Sequence, residues 1–338
     1  MRRSALVLML AVGGCTGAPM ATGAANDAII GGVTDASDPG VVLLYFTTPG
    51  QSGGELCTGE VISPHVVLTA AHCAGGDDAS VTSTYHVYLG DDFGAATTAD
   101  LLPVAAAHFN PAFDPGDLAA GNDIGVYLMQ GALPASATPL VYNRASIDAG
   151  FDGAAVRFVG YGLDNATTQT GGGIKRATST TLTDHTALLL HFSDGTHETC
   201  NGDSGGPAFM NVDGRQVIVG LTSYGDVACA AGGYDTRVDA QAAWIDGWVA
   251  QADPGFISST PPTPSGGTQS PPTSSATPMP PSSTGAGGVG ASCVSCDGDG
   301  PEVHGGCALA VDDTTSGGGA ALFLIGVMAA AARRRRRA

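Results

Sequence analysis

The chain has 338 residues, of which only 13% are charged and 6% aromatic, with 51 glycines and 20 prolines; a long amphipathic helical bundle is excluded by that composition. The formal net charge is −18. Between residues 29 and 252 only Arg144, Arg157, Lys175, Arg176, Arg215 and Arg237 oppose a large excess of acids, a body that repels phosphate backbones and excludes nucleic acid as a partner.

In chain order, Met1-Arg2-Arg3 followed by the apolar run Ala5–Val12 has the form of a secretory signal peptide, shorter than the ~20 residues of a membrane span. Val12-Gly13-Gly14-Cys15 resembles a bacterial lipobox, which would end the signal at residue 14 and place a lipid on Cys15; ordinary cleavage near Ala25 is the other reading. Either route exports the chain, and export makes disulfides the default use of its cysteines. Residues 29–252 then read as β structure. Short runs rich in Val, Ile, Leu and Tyr recur between Gly, Asp and Pro clusters at Val41–Phe46, Val61–Ala70, Tyr85–Leu89, Ile124–Met129, Ala155–Val159 and Val217–Thr222. Regularly spaced short strands predict a sandwich or barrels. Asp239–Ala250 breaks the pattern: Trp244, Ile245, Trp248 and Val249 share one helical face behind an Asp239 cap, which predicts a packed terminal helix.

Residues 253–292 are mostly Pro, Ser, Thr and Gly and read as an extended linker that cannot bury a core. Cys293, Cys296 and Cys307 follow, then the apolar run Ala320–Ala332 and Arg333–Arg337. That run is short of a comfortable span, and the arginines after it suit retention on the cytoplasmic side during export.

Three motifs carry chemistry: Leu68-Thr69-Ala70-Ala71-His72-Cys73, Asn122-Asp123-Ile124-Gly125-Val126 and Gly202-Asp203-Ser204-Gly205-Gly206-Pro207. A serine hydroxyl is a poor nucleophile until an imidazole takes its proton, and a buried carboxylate holds that imidazole in one tautomer. Flanking glycines let backbone N–H groups approach a developing oxyanion. In the order His, Asp, Ser, the motifs resemble the trypsin/chymotrypsin family of serine peptidases across residues 29–252.

The resemblance implies an all-β fold of two antiparallel six-stranded β-barrels with a C-terminal helix, and an active site between them. It implies His72 as general base, Asp123 as the orienting acid, Ser204 as nucleophile and the N–H groups of Gly202 and Ser204 as the oxyanion hole. Ile29-Ile30-Gly31-Gly32 resembles the family's mature N-terminus, so residues 15–28 become a propeptide and the freed Ile29 amine would pair with Asp203. Cys57 with Cys73, and Cys200 with Cys229, occupy the places of two family disulfides; the disulfide around the loop before the pocket is missing, and that loop, near Leu190–His197, looks short. Glu198 stands at the family's pocket floor and Gly225 and Gly233 at its walls. Ser223-Tyr224-Gly225 replaces the strand that hydrogen-bonds extended substrate, and Gly160-Tyr161-Gly162 takes the place of Gly-Trp-Gly. A carboxylate at the floor would pair with Arg or Lys of a substrate. The other reading turns Glu198 out to solvent.

Residues 293–338, through Gly305-Gly306-Cys307, the apolar run and the terminal arginines, resemble the myxobacterial C-terminal sorting signal, which retains its protein at the cell surface with the cysteine implicated. The rival is a metal site from Cys293, Cys296, His304 and Cys307, whose spacing matches no zinc module. These readings converge on a secreted, surface-associated, monomeric serine endopeptidase that needs no cofactor or metal and acts on proteins or peptides. It would be attached to the outer membrane through its tail. A catalytically inactive adhesion or binding module on a Pro-rich stalk is the alternative from another class.

Overall fold

The computed structural model describes residue 29, residues 32–51, 53–76, 82–212 and 214–256, and the backbone of 307–309. The short strand β1 (Val33–Thr34) leads into the first barrel: β2 (Val41–Thr47), β3 (Gly54–Ser63), β4 (Val66–Thr69), β5 (Thr84–Tyr88), β6 (Leu102–Phe109) and β7 (Gly125–Met129). The second barrel comprises β8 (Ala155–Gly160), β9 (Arg176–His185), β10 (Leu189–Phe192), β11 (Pro207–Val212), β12 (Arg215–Gly225) and β13 (Gly233–Arg237), and helix α1 (Val238–Ala252) follows it. The backbone of Cys307–Leu309 forms β14.

Both barrels are antiparallel and closed. The first runs β3-β2-β5-β6-β7-β4 and closes where β3 pairs with β4; the second runs β9-β10-β13-β12-β11-β8 and closes where β8 pairs with β9. β1 adds to β9, and β14 adds to β3 with Cys307 opposite Leu56. Closure leaves each strand an inner and an outer face, and side chains alternate between them. Along β2, Val42, Leu44 and Phe46 fill the first barrel. Val41 and Leu43 point the other way into a cluster that also takes Val159, Ile218 and Leu221 from the second barrel and Val238, Ile245 and Val249 from α1. The two barrels are therefore joined by an apolar seam. One residue breaks its chemistry: Glu60 of β3 is fully buried with both carboxyl oxygens unpartnered.

Three expectations need correction. Val61–Ala70 is two strands, because Pro64 and His65 form the turn between β3 and β4. The stretch from Leu190 is not all loop, since β10 continues to Phe192. Asp239 lies inside the first turn of α1 and is not its cap; its carboxylate accepts from Arg237 Nη2 at 2.6 Å and from the Ile147 N–H at 3.1 Å. Among the described residues no helix is long and apolar enough to cross a membrane.

Candidate active site

β4 delivers Thr69 to a one-turn helix at His72–Ala74, and the Cys57–Cys73 disulfide ties that turn to β3. Tyr127 Oη, from β7, donates to the Cys73 carbonyl at 2.6 Å. Just before β7, Asn122 takes φ 65°, a left-handed conformation that asparagine tolerates better than most residues. Its Oδ1 accepts from Gln241 Nε2 of α1 at 2.8 Å, which anchors the turn. Asp123 follows, fully buried.

The turn aims Asp123 at His72. His72 Nδ1 lies 2.8 Å from Asp123 Oδ2, the His72 backbone N–H donates to Oδ1 at 3.1 Å, and Ser223 Oγ donates to Oδ2 at 2.6 Å. Ser223 is free to do so because the β12–β13 register shifts between Thr222 and Tyr224, leaving Ser223 as the extra residue of a bulge. Burial pushes the Asp123 carboxyl up, but the His72 charge and these hydrogen bonds more than reverse it and hold it below the ordinary carboxylate range. An ionised Asp123 keeps the proton of His72 on Nδ1 and leaves Nε2 as the basic nitrogen.

The Cys200–Pro207 loop brings Ser204 to the same junction from the second barrel. Thr58, next to Cys57, is the fastener: its N–H donates to the Ser204 carbonyl at 2.9 Å and its Oγ1 to the Gly202 carbonyl at 2.9 Å. Cys73 Sγ lies 3.6 Å from the Ser204 carbonyl oxygen, so the turn carrying His72 and the loop carrying Ser204 are in contact. Ser204 is 5% and His72 7% exposed. Gly205, at φ 77°, must be glycine because a Cβ would collide with Thr69 Oγ1. Within the loop the N–H groups of Asp203, Gly205 and Gly206 are taken by carbonyls, whereas those of Gly202 and Ser204 have no such bond among the described residues. Two unclaimed donors beside a serine hydroxyl are what a developing oxyanion requires.

Asp203 is buried behind the serine. Its Oδ1 accepts from the Gly162 N–H at 2.7 Å and its Oδ2 from the Cys200 N–H at 2.9 Å. Burial raises its carboxyl and these amides and the Arg176 charge oppose that, leaving it at about 7. Gly160 and Gly162 make its room, since a Cβ at either would strike the carboxylate. Ile29 is buried in the interior of the second barrel with Phe158 and Leu190. It is still joined to Ala28 in this chain, so it offers Asp203 no ammonium.

Glu198 is 3% exposed and does not turn to solvent. Burial raises its carboxyl, backbone hydrogen bonds at Gly195 and Asp194 oppose this, and the charges of Asp194 and Asp226 add to the rise. Its Oε1 is unpartnered. Gly225 and Gly233 stand opposite each other on β12 and β13, and the Cys200–Cys229 disulfide closes that side. Cys57, His72 and Cys73 bring ligand-type atoms within 4.8 Å of one another, but the two sulfurs are spent in the disulfide. Cys15 and the other proposed metal ligands Cys293, Cys296 and His304 lie outside the described residues, and only the backbone of Cys307 is described. Sequence reasoning missed Thr58 and Gln241, whose types carry no signal for the bonds they make; adjacency to Cys57 was the one clue to Thr58.

The profile of the family described as Trypsin matches residues 29–245. Chymotrypsin-like elastase family member 1 of Bos taurus is 27% identical over 257 residues, covering 67% of this chain and 91% of its own. Trypsin of Saccharopolyspora erythraea is 26% identical over 243 residues, covering 68% and 100%, and Trypsin, alkaline C of Manduca sexta is 27% identical over 245 residues, covering 64% and 89%. Fold and comparisons agree on the class, a serine endopeptidase with protein substrates. The chain belongs to the trypsin family.

Proposed function

We propose that the protein is an exported endopeptidase that cleaves peptide bonds through an acyl-enzyme on Ser204. Ser204 Oγ attacks the scissile carbonyl carbon as His72 Nε2 takes its proton. The N–H groups of Gly202 and Ser204 receive the oxyanion, a donor pair of which each member is worth ~10²–10³ in turnover. His72 then passes the proton to the leaving amine, and water activated by His72 releases the acyl group. Asp123 stays ionised throughout and stabilises the imidazolium. The observation that carries this reading is the His72–Asp123 bond, held by a fully buried carboxylate that His72 and Ser223 keep ionised.

The pocket bounded by Glu198, Ser223, Gly225 and Gly233 is proposed to prefer Arg or Lys before the cleaved bond. Activation is a cut after Ala28 that frees the Ile29 amine to enter beside Asp203; with Asn26, Asp27 and Ala28 before the bond, an enzyme of that preference needs another protease to make it. The body works as a monomer on the Pro-rich linker of residues 253–292, attached to the cell surface through residues 293–338, and deleting 307–338 would release it to the medium; unchanged fractionation would move the anchor to Cys15. A fluorophosphonate probe tests the core of the proposal. Labelling of the wild type that vanishes in Ser204→Ala supports it, and a processed wild type that resists the probe would favour a binding module instead.

A further inference from the structure

One edge of β3 carries three neighbours in succession. Toward its C-terminal end, residues 60–63 pair with β4 and close the first barrel. In the middle, the Thr58 N–H donates to the Ser204 carbonyl at 2.9 Å. Toward its N-terminal end, Gly54, Glu55 and Leu56 pair with Leu309, Ala308 and Cys307 of β14. The other edge belongs to β2, which pairs with β3 from Glu55 to Glu60 without a break in register. Backbone donors of a strand alternate between its two edges, so Gly54, Leu56, Thr58 and Glu60 present theirs to the same side. By the same alternation the Val61 N–H faces the opposite way, and it reaches the Gly40 carbonyl beside β2 at 2.8 Å.

The serine loop and β14 therefore lie end to end along one edge. Leu56 and Thr58 are two residues apart, ~7 Å at the rise of a strand. Because β14 runs antiparallel to β3, Cys307 is at the end nearer Thr58 and Leu309 at the far end. The pairing of β4 begins only at Glu60, so the barrel itself leaves residues 54–56 with this edge uncovered. Such an edge is a template for any extended chain, held by main-chain hydrogen bonds. Here the template adjoins the nucleophile and already holds part of this chain. Main-chain pairing asks little of sequence, whereas cleavage asks for a side chain that fits a pocket. The residues before Cys307 are His304, Gly305 and Gly306, and the two glycines offer a pocket nothing to hold. β14 is better suited to occupy the edge than to be cut there.

We propose that residues 54–56 of β3 form a strand-docking surface whose occupant is the chain's own Cys307–Leu309, and that the docked strand holds back cleavage of extended substrates until the tail leaves it. This rests on the serine-endopeptidase reading and adds a regulator to that site. The occupant lies within the segment proposed to attach the protein to the cell surface. Engaging or removing that segment would therefore also free the edge beside Ser204.

The test compares three chains processed at Ile29, with active sites counted by fluorophosphonate labelling: the full chain, its Leu309→Pro variant and a chain ending at Gly306. Proline at 309 removes the N–H that the pairing presents to Gly54. Two substrates share the residue before the cleaved bond, one a single-residue p-nitroanilide and the other a long internally quenched peptide that extends to both sides. A tethered strand competes at an effective concentration of up to about millimolar, so the shortened chain and Leu309→Pro should cleave the long peptide about 10-fold more efficiently, through KM, with the p-nitroanilide unchanged. Deuterium exchange at the Leu56 amide should be slower in the full chain than in the shortened one. Equal exchange, or equal cleavage of the long peptide by the full and shortened chains, would overturn the proposal and leave the peptidase standing. Inhibition that fades as the full chain is diluted would place the strand on a second copy and overturn the assignment in cis. Absence of labelling in the full chain would remove the peptidase reading and the regulatory role with it.

Discussion

The two barrels bring unequal states of readiness to the junction. From the first come His72 and Asp123, already bonded to each other, tied by the Cys57–Cys73 disulfide and held by donors from Ser223 and the backbone. From the second come Ser204 and three buried acids, Asp203, Glu198 and Asp235, each with its carboxyl raised by burial. The His72–Asp123 pair is already assembled in the unprocessed chain, with one donor, Ser223, reaching across from the second barrel. The second barrel holds acids that burial keeps from ionising freely, among them Asp203, where the proposed activation would supply an ammonium. The difference suggests that activation and specificity reside in the second barrel, whereas proton transfer is prepared in the first.

The most severe way to break this contrast is to cut across it. Ser204→Ala and His72→Ala should each reduce turnover of a peptide substrate by about 10⁶, and the double mutant should be little worse than either, since the two act as one unit. Multiplicative losses in steady-state kinetics would mean that the barrels do not share a mechanism. Next in size is the charge at Asp203. In the processed protein Asp203→Asn removes one partner of the proposed buried pair, worth ~2–5 kcal/mol, and activity should fall on the order of 30- to 5,000-fold. Full activity in that variant, or in a chain still carrying residues before Ile29, would defeat the activation scheme.

Acidity separates the two forms as well. With its folded value raised to about 7 from 3.8, the Asp203 contribution to stability in the unprocessed chain is fully present below 3.8 and lost as pH rises to about 7. Thermal melts across that range should show a steeper decline for the unprocessed than for the processed protein. Glu60 allows a finer measurement in the seam itself. Its carboxyl is raised well above 4.5 by burial and by the Asp235 charge, so stability should fall by up to about 1.4 kcal/mol per pH unit above 4.5 until the folded group ionises. Glu60→Gln should flatten that slope in urea titrations at successive pH values; an unchanged slope would show that Glu60 does not titrate there. Smallest is Thr58→Val, which removes the Oγ1 bonds to the Gly202 carbonyl and from the Tyr161 N–H. It should cost about 1–3 kcal/mol of stability and slow turnover by loosening the serine loop, with little change in the pH profile set by His72.

How far the sequence could be read depends on what kind of burial each strand has. β2, β5, β7, β8 and β12 announce themselves as apolar runs, β2 and β12 most clearly because much of each is buried on both faces. β9 alternates buried and exposed positions, most of them hydroxyl residues, and β6 is rich in alanine, so neither produces such a run. The Gly202–Pro207 motif was legible because its glycines are demanded by collisions and positive φ, which no other residue can meet. Asp235 was not. An aspartate just after a Gly-Gly-Tyr run looks like turn punctuation, and only the register with Thr222 and the outward Tyr234 ring reveals it as an inner-face charge. The Asp239 cap failed for a related reason: Arg237 competes for the carboxylate two residues on, a preference visible only once both side chains are placed.

The Cys57–Cys73 bond has a consequence in time and place. It lies against the carbonyl of Ser204 and carries the turn of His72, so it fastens together the chemistry of both barrels. Thiols stay reduced in the cytoplasm and oxidise only outside it. On the proposed export route a newly made chain would lack this clasp until it had crossed the membrane, and redox compartment would guard the cell's own proteins beside the proposed propeptide. A processed enzyme that kept full activity after complete reduction of this disulfide would show that the propeptide guards alone.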